Sequence, residues 1–218
     1  MKPDYRVPDP ARKSFARTNI QTIHHRISII RELFPETRSI AEICCGDCIQ
    51  QHKAYQQGLS ISSYAGLDIQ PDIAALNRSR GIHCRCGDAL DREILQEFID
   101  FDLIFYGPPL SVDCDGHRLL NFQEVVPGFG DFSWLLLGEL NYNGILVCIC
   151  PRMTSMGDAV WLYKQIKELR KDVGLRLIHS SYSTITGDGE ETGLRLKYLE
   201  LWFSNNDEDS WEIRESRG

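Results

Sequence analysis

No apolar run in residues 1–30 is long enough to serve as a secretory signal, and no later stretch is long enough to span a bilayer. The expectation is a cytoplasmic protein without membrane contact. In a reducing compartment the eight cysteines act as small apolar residues unless they cluster for chemistry. An excess of positive charge is also missing. The net charge is -7, which argues against a protein that coats nucleic acid non-specifically. Internal repeats and low-complexity blocks are absent as well. What remains is 218 residues with 42% hydrophobic content, enough for one domain around one core.

Charge is unevenly spread. Residues 1–31 carry Lys2, Arg6, Arg12, Lys13, Arg17, Arg26 and Arg31 against only Asp4 and Asp9, and the stretch from Asn205 to Glu215 is acidic. A basic arm either touches phosphates or is a solvated extension, and the second is commoner. The expected organisation is an arm and helix packed on the core over 1–38, the main domain over 39–204, and an acidic flexible tail over 205–218.

Periodicity gives the elements. Ile20, Ile23, Ile27, Ile30 and Phe34 recur at helical spacing, and Pro35 stops that helix. Strands are expected at 39–44, 64–69, 82–86, 101–106 and 145–151. Helices alternate with them at 49–57, 91–99, 132–140 and 158–171, and another begins at Pro71 and ends at Gly81. Two further strands, 175–185 and 196–203, are joined by the turn-rich TGDGEETG rather than by a helix. The pattern implies a Rossmann-like α/β fold. Its sheet has seven strands, mostly parallel, with helices on both faces and an antiparallel C-terminal hairpin.

Parallel sheets of this kind bind ligands at the carboxyl ends of their strands. Those ends are unusual here. AEICCGDC follows the first strand, Asp68 ends the second, Gly87-Asp88-Ala89 follows the third, and Tyr106-Gly107-Pro108-Pro109 the fourth.

These residues resemble the class I S-adenosylmethionine-dependent methyltransferases over about residues 39–203. AEICCGDC is similar to the family's acidic-x-Gly-x-Gly-x-Gly loop, with Glu42 at the acidic position and Gly46 at the middle glycine. Cys44 and Cys48 stand where the outer glycines would be. The resemblance implies that Asp68 grips the ribose hydroxyls and Asp88 accepts from the adenine amine. Ile69 and Ala89 join Glu42, Cys44 and Gly46 in holding S-adenosyl-L-methionine. The chemistry is consistent, because that cofactor presents hydroxyls, an amine, an ammonium and a sulfonium to converging carboxylates. A nicotinamide dinucleotide would also want an acid after the second strand, but its pyrophosphate needs G-x-G-x-x-G, and only Gly46 is present.

Each acid has a structural alternative. Glu42 or Asp88 could cap a helix, and Asp68 could open the turn before Pro71. A metal reading would join Cys45 and Cys48 to Cys84 and Cys86, but C-x-C on a strand is a poor second half of a zinc site. No metal is expected.

Methyltransferases that act on exocyclic amines of nucleic-acid bases often carry Asp/Asn/Ser-Pro-Pro-aromatic after the fourth strand. Here Gly107 and Leu110 replace the polar and aromatic positions, while Pro108 and Pro109 remain. The acceptor site is therefore expected at Tyr106–Pro109. The apolar loop to Asp131 lies over it, with Asp113, Asp115 and His117 as general-base candidates. The leading acceptor is a nitrogen on a base in DNA or RNA. The alternatives are a small-molecule acceptor and a non-catalytic binding module of the same fold.

Overall fold

Ile23, Ile27 and Ile30 are all buried along one side of helix α1 (Ile20–Leu33), as their spacing predicts. Each contributes about 1.5–3 kcal/mol on full burial. The computed structural model describes residues 17–18, 20–107, 130–151, 156–186 and 195–204. The connector 187–194 and the tail 205–218 lie outside the described residues.

The strands are β1 (Arg17–Thr18), β2 (Ser39–Ile43), β3 (Ser63–Asp68), β4 (His83–Cys86), β5 (Leu103–Tyr106), β6 (Ile145–Pro151), β7 (Arg176–Thr186) and β8 (Arg195–Ser204). Their order across the sheet is β1-β7-β8-β6-β5-β2-β3-β4. Strands β2 to β6 are mutually parallel, and β8 runs antiparallel to both β6 and β7. These seven are the expected mostly parallel sheet with its antiparallel C-terminal hairpin. The two-residue β1 adds an eighth strand beyond β7, too short to leave any periodicity in the sequence.

Helix α2 (Ile49–Gly58) follows β2, and α3 (Pro71–Ser79) follows β3 with Pro71 in its first turn. Gly81, at φ +81°, makes the left-handed turn that leads into β4. The helix expected over 91–99 is shorter and divided. Asp91 caps α4 (Arg92–Leu95) by accepting from the Glu93 and Ile94 amides, and a 3-10 turn (Gln96–Phe98) completes it. That tighter turn brings Leu95 and Phe98 onto one side, and both are buried. Helix α5, described over 130–139, widens to a π-helix at Trp134–Glu139, and α6 (Met156–Val173) crosses back to the hairpin.

Alternation along each strand divides the core into two layers. Ala41, Ile43, Ile104, Tyr106, Leu146 and Phe203 pack with α5 residues such as Phe132 and Leu136 on one face. Ile40, Tyr64, Phe105, Val147 and Trp202 pack with Ile23, Ile27 and Tyr55 on the other.

Arg26 is the main departure from the expected arm. It is buried on α1, and its Nε and Nη2 donate to Glu200 Oε1 at 2.8 and 2.6 Å. Its guanidinium also lies 4.6 Å from the Phe105 ring centre. Arg31 donates its Nε to the Gly58 carbonyl at 2.8 Å, tying α1 to α2. Neither side chain belongs to a loose basic extension.

Candidate functional site

Backbone hydrogen bonds stitch the exits of four parallel strands into one rim. The Cys45 amide donates to the Leu67 carbonyl, the Gly87 amide to Asp68, and the Gly107 amide to Ile43, each at 3.0 Å. The segments after β2, β3, β4 and β5 therefore open on the same edge of the sheet.

The loop after β2 has two left-handed residues, Cys44 at φ +60° and Gly46 at φ +54°. Gly46 suits that conformation without strain, and a Cβ placed on it would meet nothing within 4 Å, so the loop faces open space. Cys44 adopts a conformation that a side chain rarely takes, at a position where the sequence resemblance expects glycine.

Three side chains hold the loop. Asp68 Oδ2 accepts from the Gly46 amide at 2.9 Å, and Asn77 Nδ2 donates to the Gly46 carbonyl at 2.8 Å. Arg80 Nη1 donates to Asp47 Oδ1 at 2.6 Å. Asn77 and Arg80 have no counterpart among the residues picked from sequence. The available signal was an asparagine at a buried helical position, since Asn77 is 0% exposed.

Asp68 Oδ1 also accepts from the Gln70 amide at 2.9 Å. Burial raises the Asp68 carboxyl above its ordinary range, while the Gln70 and Gly46 amides pull it back. An ionised carboxylate offers about four acceptor positions, so roughly two remain for hydroxyl donors. Asp88 is exposed, and its Oδ1 accepts from the Leu90 amide at 2.9 Å. The cap of α4 is Asp91, not Asp88. Cys44 joins this group electrostatically. Burial, with the nearby Asp68 and Asp88 carboxylates, pushes its thiol up to about 12.

Glu42 stands apart from that group. Its carboxylate is buried, its charged neighbours are Arg26 and Glu200, and Oε1 has no hydrogen-bond partner. Burial pushes its carboxyl up to about 7, with Arg26 and Tyr64 acting in the opposite direction. Ile69 is exposed despite being large and apolar, and so is Leu90, while Ala89 is half-buried. Leu90 was not singled out from sequence, because one apolar residue after Asp88 carries no pattern.

Tyr106 is buried and stacks flat on Phe132, with ring centres 4.0 Å apart. One face of its ring is therefore taken. Gly107 is half-buried, and a Cβ there would stand 3.3 Å from Ile149 Cδ1. Pro108, Pro109 and the loop with Asp113, Asp115 and His117 lie outside the described residues. Beyond the exit of β6, the start of α6 carries a cleft of about 380 Å³ lined by Met156, Gly157, Val160, Trp161 and Lys164. Among the described residues, no group of three or more His, Cys, Asp or Glu side chains is placed to hold a metal ion, and no helix is long and apolar enough to cross a membrane.

No protein-family model matches the chain. No curated protein matches it in sequence either. Solved structures do. A candidate RNA methyltransferase of Pyrococcus horikoshii superposes with a TM-score of 0.59 at 13% identity, covering 92% of this chain and 90% of that one. The methyltransferase domain of bacterial CtHen1 gives 0.53 at 11% identity, covering 84% and 97%. The precorrin-6y C5,15-methyltransferase of Geobacter metallireducens gives 0.51 at 12% identity, covering 91% and 93%. At such identities the likeness concerns the fold, and the chain is built on the class I methyltransferase fold.

Proposed function

We propose that the chain is an S-adenosylmethionine-dependent methyltransferase whose acceptor is a nitrogen on a nucleic-acid base. The observation that carries this reading is the rim itself, with Cys44, Gly46, Asp68 and Asp88 gathered at the exits of β2, β3 and β4. The open space at Gly46 and the unused acceptor positions on Asp68 fit such a cofactor.

In this reading Asp68 takes the ribose hydroxyls and Asp88 the adenine amine. Ile69, Ala89 and Leu90 offer apolar surface to the adenine ring. Glu42 acts on the loop from its buried side, through the strand that carries it. When bound, the cofactor supplies an electrophilic methyl group on a sulfonium. The chain's task is then positioning, because an in-line approach accounts for most of what such a transfer needs. The carbonyls of Gly107 and Pro108 would accept from the acceptor amine, and Pro109 would stiffen that exit. Tyr106, stacked on Phe132, would form a wall of the site.

The Pro-Pro sequence favours a base nitrogen, and one solved structure of the same fold is a candidate RNA methyltransferase. A small-molecule acceptor is the second reading, favoured by the net charge of -7. Thermal melting tests the first level. Cofactor at a hundredfold excess over its Kd should stabilise the chain by about 2.7 kcal/mol. An unchanged Tm would remove both enzyme readings in favour of a binding module. Labelled methyl transfer onto total RNA, DNA and a metabolite extract then separates the acceptors.

A further inference from the structure

Cys45 and Cys84 are both buried, and their sulfurs stand 3.8 Å apart. They belong to segments that are not neighbours in the sheet, the loop after β2 and strand β4, with β3 running between them. The residue of β3 beneath the pair is Gly66. A Cβ there would stand 2.8 Å from Cys45 Sγ and 3.3 Å from Cys84 Sγ, so the glycine makes the space in which the two sulfurs meet.

The pair lies within the apolar layer on that face of the sheet, with Asn77 as a polar side chain against both sulfurs. Asn77 Nδ2 lies 3.7 Å from Cys45 Sγ and 3.8 Å from Cys84 Sγ, and Asn77 Oδ1 is buried without a partner. The Cys84 thiol is held below its ordinary range, chiefly by the hydrogen bond with Cys45 and further by Asn77, against the opposing effect of burial. Cys148, buried among apolar residues, is instead pushed well up by burial. The Cys45 thiol is raised in the same arrangement, by its hydrogen bonds with Cys48 and Cys84 and by burial, so within the pair Cys84 has the greater thiolate character.

We propose that Cys45 and Cys84 form a reversible disulfide when the protein meets hydrogen peroxide, and that this bond releases the cofactor by displacing the Gly46 loop. The release half rests on the methyltransferase reading, whereas the disulfide half stands without it. In the first step the Cys84 thiolate attacks one peroxide oxygen. The O–O bond breaks, and the departing hydroxide takes a proton and leaves as water. Cys84 is then a sulfenic acid. The Cys45 sulfur, losing its proton, attacks the Cys84 sulfur. The S–O bond breaks, a second water leaves, and the S–S bond forms. Two thiols lose two electrons, and one peroxide becomes two waters.

A disulfide needs its sulfurs about 2.05 Å apart, so from 3.8 Å they must close by roughly 1.7 Å. Cys84 sits in a strand whose register fixes it opposite Gly66. Cys45 sits between the two left-handed residues of the loop. The movement therefore falls on the loop, and it pulls on the Gly46 amide that Asp68 holds.

The test is to expose the full chain to hydrogen peroxide, block the remaining thiols with iodoacetamide, and map cross-linked peptides by mass spectrometry without reductant. The expected product is a Cys45–Cys84 cross-link that dithiothreitol reverses. The Kd for S-adenosylmethionine should weaken at least tenfold on oxidation and recover on reduction. Cys84→Ser should lose both responses while still binding cofactor, and Cys48→Ser should keep the cross-link. Pairing of Cys45 with Cys48, sulfonic acid at Cys84, or no oxidation at all would overturn the disulfide. A mapped Cys45–Cys84 bond with unchanged affinity would overturn the release. A reduced chain that binds no S-adenosylmethionine would overturn the methyltransferase reading and the release with it, while the cross-link map would still decide the redox pair.

Discussion

Asp68 accepts from the Gly46 and Gln70 amides, so its replacement touches the loop as well as any ligand. From sequence, Asp68→Ala is expected to spare the fold; the structure adds a stability cost of about 1–3 kcal/mol for amides left without their acceptor. Cofactor affinity should also fall, by on the order of 2–4 kcal/mol, and calorimetric titration alongside urea unfolding separates the two effects. Cys44→Gly should act in the other direction. It relieves a left-handed residue with a side chain, and the expected gain is up to about 1 kcal/mol by urea unfolding. Glu42 supplies a pH dependence. Its carboxyl titrates near about 4.3 in the unfolded chain and is pushed up to about 7 in the folded one, chiefly by burial. The folded protein holds that proton more tightly, so the contribution is full below the unfolded value and is lost as pH rises through about 7. Glu42→Gln escapes the loss. It should exceed the parent in stability by roughly 1–3 kcal/mol at pH 8, with the advantage shrinking toward pH 4.5. Equal stabilities at pH 8 would mean that Glu42 ionises there without penalty.

At the scale of elements, the sequence is legible wherever periodicity runs for several residues. Strand β6 falls on residues 145–151 as the apolar run ILVCICP requires, and α1 spans the isoleucine stripe that Pro35 closes. What could not be read depends on partners far away in sequence. Arg26 looks like one more base in an arm until Glu200, 174 residues later, meets it inside the core. The π turn at Trp134–Glu139 likewise leaves no mark in the apolar pattern. The candidate site was half legible. Carboxylates and glycines at strand ends stand out once the strands are placed, whereas Asn77 and Arg80 reach the loop from the far end of α3. The exit of β5 gives the test at this scale. Gly107 keeps its amide on Ile43, but a Cβ would already press on Ile149, and a branched side chain would fill the approach beside it. Gly107→Val is expected to abolish methyl transfer and leave S-adenosylmethionine affinity unchanged. Full activity would mean that the acceptor enters elsewhere.

For the molecule as a whole, charge decides how a nucleic acid could be held. The net charge is -7, and several described cations are already engaged. Arg26 is paired with Glu200, Arg80 with Asp47, and Arg31 and Arg38 donate to backbone carbonyls. With a net charge of -7 and these cations engaged, the chain is expected to neutralise few phosphates and to recognise its acceptor through the base that enters the site. Binding that neutralises six to ten phosphates weakens by about 10³–10⁵ between 50 and 200 mM salt, while one or two phosphates give a change of about tenfold or less. The expected outcome for this chain is the shallow dependence, measured as the Kd of the acceptor RNA or DNA across that salt range with cofactor present. A small-molecule acceptor would leave no salt slope of this origin. A steep slope would place the grip on the phosphate backbone, with Lys2, Arg6, Arg12 and Lys13 among residues 1–16 supplying one part and the exposed Lys164, Lys167, Arg170 and Lys171 of α6 another. Removing residues 1–16 should lower a steep slope by their share, at most about four phosphates, and leave a shallow one unchanged, so the truncated and full chains together apportion the contact.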